Sequence, residues 1–303
     1  MTITSFGRLV PLAPEVFAYI QPPGGWCVGN AGIIVGSEQV VVVDTAATRL
    51  RAEALLACVR RLAPNRPQIV VNTHAHGDHV FGNCVFPAEA VIVAHEIARA
   101  EMARTGLAMR DLWPEADFGG IDLRLPTVTM RDRLSLSPGG PAVELIHVGP
   151  AHTTNDVVVW LPRSRVLFTG DVVFAGRTPF VLMGSVSGSL RALAELRALR
   201  PRLVVSGHGE VGGPEVLDAT EAYLRWLLRE ATRGIAANLD PLEAARQAAG
   251  HPFHRLPEAE RLVANLHRAY AEERGEPPGT YLPSRPVMGD MVRLHGGPLS
   301  TSV

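Results

Sequence analysis

Residues 71–79 read VNTHAHGDH, and this stretch constrains the chain more than any other. It places His74, His76, Asp78 and His79 within six residues, directly behind the apolar run QIVV. The run predicts a short buried strand over 68–73, so the cluster falls where a strand stops. Strand ends are where a rigid scaffold presents reactive groups. On an extended segment, side chains two positions apart point to the same side. His74 and His76 can therefore grip one ion. Gly77 turns the chain, so Asp78 and His79 can face a neighbouring one.

Two ligands do not complete a zinc site, because catalytic zinc takes about three protein ligands and a water. Further donors are expected at other strand ends. His152 follows VELIHVG in GPAHTTND, Asp171 follows VLFTG in FTGD, and His208 follows LVVSG in SGHGE. Each comes just past an apolar run, after small or turn-forming residues. The other histidines, at 95, 147, 251, 254, 267 and 295, have no such context and are expected to be surface or satisfied core residues. His147 deserves notice because it lies in a strand close to His152.

The rest of the chain alternates strand and helix. AGIIVGSEQVVVVDT reads as two strands about a turn at Gly36–Ser37, and RLRAEALLACVRRLA as a helix ending near Pro64. AVIVAH is a strand and EIARAEMARTGLAM a helix. Residues 110–126 read as a long loop of the kind that covers sites. VELIHVG, DVVVWL, RVLFTG and RLVVSG are strands, and SLRALAELRAL is a helix. Residues 214–274 carry three helical segments without a strand. The Pro/Gly-rich tail could be disordered, drape over a site or clasp a second subunit in a homodimer. Two batches of strands with interspersed helices predict a layered α/β domain with two sheets. The expected organisation is a catalytic domain over 1–213, a helical segment packed on it over 214–275, and a tail over 276–303.

Composition narrows the chemistry. The 303 residues are 47% apolar and 19% charged, with net charge -1, an ordinary globular balance. No broad basic footprint for nucleic acid appears. All 29 basic residues are arginine, so Schiff-base lysine chemistry is excluded. Three cysteines, without CxxC spacing, exclude a disulfide framework or a four-cysteine zinc site. With no secretory n-region and h-region and no long apolar run, the chain is expected to be cytoplasmic and not membrane-bound.

THAHGDH, His152, TGD and GHG, with Asp44 in VVVDTA, resemble in order and type the motifs of the metallo-β-lactamase superfamily. They span residues 44–210. The resemblance implies a four-layer αββα sandwich, here with a C-terminal helical extension. It further implies that His74, His76 and His152 hold one zinc, that Asp78, His79 and His208 hold a second, and that Asp171 bridges them. Asp78 and Asp171 thereby belong to the catalytic centre. Asp44 would lie behind the ligands and orient the His-rich loop. Two such ions about 4 Å apart share a water, lower its pKa towards neutrality and stabilise an oxyanion. Manganese or iron remains an alternative on ligand type alone.

Within that superfamily, Asp171 stands where antibiotic-hydrolysing branches place cysteine or serine. Phe174 stands where lactonases commonly carry tyrosine. Glyoxalase-type thioesterases grip glutathione with lysines, which this chain lacks. QPPGGWCVGNAG and GDVVFAGRTPFVLMGSVSGSL are instead similar to the metallo-β-lactamase-fold cyclases of aromatic polyketide pathways. That resemblance implies a substrate held as a thioester, free or on an acyl carrier protein. The reaction would be aldol ring closure with dehydration and thioester cleavage by a metal-activated hydroxide. A general metal-dependent thioesterase or lactonase, and a non-catalytic metal-bound scaffold, are the alternatives. Trp26, Trp113, Phe174 and Arg177 are candidate pocket residues. For the tryptophans, core packing is the competing reading, and for Arg177 a solvated guanidinium.

Overall fold

The structure, a computed structural model, describes residues 3, 4, 6–22 and 25–303. Pro23 and Gly24 of the QPPGGWCVGNAG stretch lie outside the described residues, as do Met1, Thr2 and Ser5. One sheet holds eight strands in chain order: β1 (Ile3–Thr4), β2 (Gly7–Ala13), β3 (Val16–Ile20), β4 (Ala31–Val35), β5 (Val40–Val43), β6 (Gln68–Val71), β7 (Val91–His95) and β8 (Val128–Met130). It is antiparallel as far as β5 and parallel from β5 to β8. The second sheet runs, from one edge to the other, β13 (Leu203–His208), β12 (Val166–Phe174), β11 (Val157–Leu161), β10 (Val143–His147) and β9 (Arg133–Leu136). Only β12 and β13 pair in parallel there.

The alternation of side chains along each strand sorts them into layers. Ile34, Val41, Val43 and Val71 from the first sheet meet Leu145, Val159, Leu161 and Phe168 from the second in a core between the sheets. The opposite face of the first sheet, with Ile33, Val40, Val42 and Ile92, packs on Leu55, Leu56 and Val59 of α1 (Arg49–Leu62). The outer face of the second sheet, with Val158, Trp160, Leu167 and Val204, packs on α4 (Val186–Ala198), α5 (Glu215–Ala236) and α7 (Arg261–Glu273). Helix, sheet, sheet and helix therefore stack in four layers, the expected αββα sandwich. Truncating a fully buried residue between the sheets, such as Ile34 or Leu145, to alanine costs about 2–5 kcal/mol.

Helix α1 shows how local sequence sets a boundary. Thr48 caps its N-terminus through the Arg51 N–H, and Ala52, Leu55, Leu56 and Val59 recur at helical spacing on the buried face. Arg60 and Arg61 sit in the last turn, where the helix dipole favours cations, and Pro64 follows.

Several elements differ from the sequence reading. The chain beyond His76 forms a one-turn helix, α2 (Gly77–Val80), rather than a simple turn. Asp171 lies inside β12 and not past its end. Pairing with β13 shifts register on both sides of Gly170, whose φ of +50° bends the strand and re-aims the following side chain. Strands β2 and β3 are not among the strands expected: Pro11 interrupts β2, and β3 is a five-residue run, VFAYI, that follows the turn at residues 14–15. Beyond α3 (Glu96–Thr105), a 3-10 turn over Ala108–Leu112 opens the long segment that leads to β8. The 214–274 region holds α5, α6 (Pro241–Gln247) and α7. The tail is ordered: α8 (Ser284–His295) packs on α7, and Thr301 bridges to Gly25 and Trp26. Among the described residues no helix is long and apolar enough to cross a membrane.

Candidate metal centre

Five strands deliver polar residues to one edge of the sandwich. Asp44 follows β5, the His-rich loop follows β6, His152 lies beyond β10, Asp171 is in β12, and His208 ends β13. The seven proposed ligands converge there as two groups. His74, His76, His152 and Asp171 form one, and Asp78, His79 and His208 the other; within each, donor atoms lie within 4.8 Å of one another. All are buried except His76, which is half-buried. Close approach demands glycine at two positions. A Cβ on Gly207 would sit 1.8 Å from Asp171 Oδ1, and one on Gly170 would sit 2.6 Å from Thr73 Oγ1.

Hydrogen bonds from the outer ring nitrogens decide which nitrogen of four of the five histidines faces inward. His152 Nδ1 donates to the Phe180 carbonyl, and His208 Nδ1 donates to the Val28 carbonyl at 3.0 Å. Carbonyls only accept, so the Nε2 atom of each neutral ring is a bare lone pair. Asp44 orders the His74 and His79 rings, while the outer Nε2 of His76 lies 3.0 Å from Met183 Sδ. Asp44 Oδ1 accepts from Thr73 N at 2.7 Å, and its Oδ2 accepts from Thr73 Oγ1 at 2.7 Å and His79 Nδ1 at 2.9 Å. Because the Thr73 hydroxyl proton is committed to Asp44, His74 Nδ1, at 3.1 Å, must donate to that oxygen. Asp44 adopts φ +58°, a conformation few non-glycine residues take and one that aspartate tolerates better than most.

The inward atoms crowd in a way that hydrogen bonds do not resolve. His76 Nδ1 lies 3.0 Å from His74 Nε2 and 2.9 Å from His152 Nε2. Ligand atoms around tetrahedral zinc lie about 3.3 Å apart. In the second group, His79 Nε2 is 3.3 Å from Asp171 Oδ1, and His208 Nε2 is 3.3 Å from both Asp78 Oδ2 and Asp171 Oδ2. His79 Nε2 and Asp171 Oδ1 are buried without a hydrogen-bond partner. Nitrogen lone pairs and carboxylate oxygens that converge without donors fit divalent cations, and the nitrogen-rich set suits zinc. Asp171 reaches both groups, 3.5 Å from His152 Nε2 and 3.3 Å from His79 Nε2.

Proton affinities divide accordingly. Burial, with the neighbouring His79, His76 and His152, pushes His74 well below the ordinary histidine range, and burial takes His152 down to about 3. Burial would raise Asp171, but His208 and His79 outweigh it and hold the carboxyl well below its usual range. Burial lowers His79 as well, and there Asp171, Asp78 and Asp44 win and raise it. The first group thus favours neutral imidazoles, while the second compensates two carboxylates.

Five of the seven donors, His76, Asp78, His152, Asp171 and His208, line a cavity of about 260 Å³. Trp26, Trp113 and Phe174 line it, together with Cys27, Phe180, Met183 and Met288. The two indoles stand 5.9 Å apart, and Phe174 stacks on His208 at 5.3 Å. Arg177 is not among the lining residues: its guanidinium pairs with Glu258. The arginine at the cavity wall is Arg261 of α7, whose guanidinium lies 4.2 Å from the Trp26 ring and 5.0 Å from that of Phe174. Sequence reasoning missed Arg261 because it lies far beyond the motif region in an ordinary amphipathic helix. His147 stacks on His95 at 4.0 Å and is not part of either donor group. Asp156, also missed, holds the His152 loop by accepting from the Ala151 and Thr153 N–H groups and the Thr153 hydroxyl.

Residues 24–208 match the profile of the metallo-beta-lactamase superfamily. A metallo-beta-lactamase type 2 of Bacteroides fragilis is 23% identical, over 74% of this chain and 88% of its own. Acyl-coenzyme A thioesterase MBLAC2 of Bos taurus is 28% identical, over 62% of this chain and 75% of its own. Among solved structures, a metallo-beta-lactamase from Pontibacter korlensis superposes with a TM-score of 0.59 and 22% identity, covering 72% of this chain and 99% of the other. That likeness speaks for the fold.

Proposed function

The chain belongs to the metallo-beta-lactamase superfamily, whose members are metal-dependent hydrolases, and on that premise we propose that it is a dinuclear zinc enzyme of polyketide thioesters. It closes a ring by aldol addition and dehydration and cleaves the thioester. The observation that carries this reading is the cavity: members of both donor groups line it, together with aromatic rings and methionines. A wall of that kind suits a flat, largely apolar acyl chain that enolises, whether free or on an acyl carrier protein. The cavity opens onto the donors, which favours catalysis over a sealed structural site.

His74, His76, His152 and Asp171 would hold one ion, and Asp78, His79, His208 and Asp171 the other. Two divalent cations, when bound, supply Lewis acidity and water activation at neutral pH. The chain's own residues do the rest. Asp44 and the Phe180 and Val28 carbonyls keep the His74, His79, His152 and His208 rings in their binding tautomers. Trp26 Nε1 donates to Glu260 at 2.7 Å and Trp113 Nε1 donates to the Leu299 carbonyl at 3.0 Å. With both N–H groups engaged elsewhere, the indoles offer the cavity apolar ring surface that binds an acyl chain and excludes water. Arg261 contributes a positive charge at the wall, where an enolate or carboxylate oxygen is stabilised.

A second reading, a thioesterase of small acyl groups, is favoured by the likeness to an acyl-coenzyme A thioesterase. The zinc-loaded protein should be incubated with an aromatic β-keto thioester and with short acyl thioesters and lactones. Thiol release together with a ring-closed product from the first supports cyclisation. Turnover of the short substrates alone moves the assignment to the second reading, and no turnover with both sites loaded removes both.

A further inference from the structure

Glu101 lies on α3, and it lines the cavity together with Thr105, one helical turn away. Apart from the proposed ligands Asp78 and Asp171, it is the one carboxylate among the described residues that does so. Its Oε2 accepts from Asn155 Nδ2 at 2.9 Å. Asn155 Oδ1 in turn accepts from Ala75 N at 3.0 Å, between His74 and His76. One side chain therefore locks the carboxylate to the ligand loop. Among the described residues Oε1 has only Arg104 Nη2 at 3.9 Å, from a side chain that is 66% exposed, and such a solvated pair holds little. Glu101 and the proposed ligand His76 line the same cavity.

Thioester cleavage at a metal pair needs a nucleophile and a departing thiolate, and the ligand set accounts for that chemistry. Ring closure begins differently, at carbon, and a base must first take a proton from a methylene flanked by two carbonyls. We propose that Glu101 is that proton-transfer group, a proposal that rests on the polyketide reading above. Glu101 Oε1 takes the proton, and the C–H electron pair becomes that of the enolate. The enolate carbon attacks a ketone carbon further along the chain, forming the C–C bond. The ketone π pair becomes an alkoxide, which takes the proton back from Glu101. One hydrogen moves from carbon to oxygen, and no oxidant or reductant is consumed.

The competing explanation is that Glu101 only anchors Asn155, and Glu101→Gln separates the two. The glutamine carbonyl still accepts from Asn155 but takes up no proton from carbon. The full-length, zinc-loaded protein should be given a β-keto amide with an aryl terminus, which enolises but offers no thioester. Loss of its α-proton signal in D2O is followed by NMR. E101Q is expected to slow this exchange about 10²–10⁴-fold, with zinc content and melting temperature unchanged, and E101D to fall between. Exchange by E101Q within about threefold of wild type, against that expected loss, overturns the proposal. So does wild-type exchange no faster than buffer. Wild-type exchange without thioester turnover sinks the thioester reading and leaves Glu101 standing; thioester turnover with undiminished E101Q exchange sinks Glu101 alone.

Discussion

Asp44 Oδ2 lies 2.9 Å from His79 Nδ1, and this contact settles which nitrogen of His79 faces Asp171. In Asp44→Asn an amide can replace one acceptor oxygen but not both. His79 then gains reason to carry its proton on Nε2, where it opposes metal binding. Asparagine tolerates the positive φ, so the fold should survive. The expected result is a loss of metal affinity at one of two sites by about 10–100-fold, read by zinc titration with metal analysis. Two full equivalents bound at wild-type affinity would contradict the assignment of Asp44.

Metal removal gives a second expectation. Seven donors, six of them buried, organised around two points bind cations in the folded chain and only weakly when unfolded. Zinc at a thousand times its dissociation constant should add about 4 kcal/mol per site. Differential scanning fluorimetry with and without chelator, followed by zinc re-addition, measures this. A melting temperature indifferent to zinc would mean that the donors hold no ion.

Asp156 supplies a pH dependence. Burial raises its pKa to about 6 despite three hydrogen bonds that favour the anion. A carboxyl whose folded value exceeds its unfolded value of about 3.9 binds more protons in the folded state. Its contribution is therefore fully present below about pH 4 and is lost as pH rises through 6, by on the order of 3 kcal/mol. Relative to Asp156→Asn, wild type should lose roughly that much unfolding free energy between pH 4 and 7 in urea titrations. A difference that stays constant across the range would rule out titration at this group.

The tail carries a fourth prediction. Trp26 N donates to the Ser300 carbonyl at 3.1 Å, Trp113 Nε1 to that of Leu299 at 3.0 Å, and Arg51 Nη2 to that of Ser302 at 2.6 Å. Deleting residues 297–303 breaks these contacts and exposes Leu299's buried neighbours. A stability loss of about 2–4 kcal/mol is expected, with red-shifted tryptophan emission. KM should rise more for aromatic acyl thioesters than for acetyl ones. Equal KM changes for both would separate the tail from the cavity wall.

The buried strands were legible because short β-branched runs such as VVVV at 40–43 leave few alternatives. The seven candidate ligands were legible for a related reason: polar residues stacked at the ends of such runs violate the pattern around them. Strand β2 was not, since Pro11 breaks its periodicity, nor was β3, a short run that takes its place from pairing with β2 and β4. Nor was α8, whose helix forms against α7 through contacts such as His267 Nε2 with Asp290 Oδ2 at 2.8 Å.

Sequence alone thus determined the layered α/β character and the kind of chemistry, because hydrophobic periodicity and donor type are local properties. Only the tertiary structure decided the cavity. It turned Arg177 away to Glu258, brought Arg261 in from α7, tied Glu101 to Asn155 at the cavity wall and drew the tail across Trp26 and Trp113. Those choices depend on packing between segments as far as 275 residues apart, where close-packed volume, not local pattern, selects the partner.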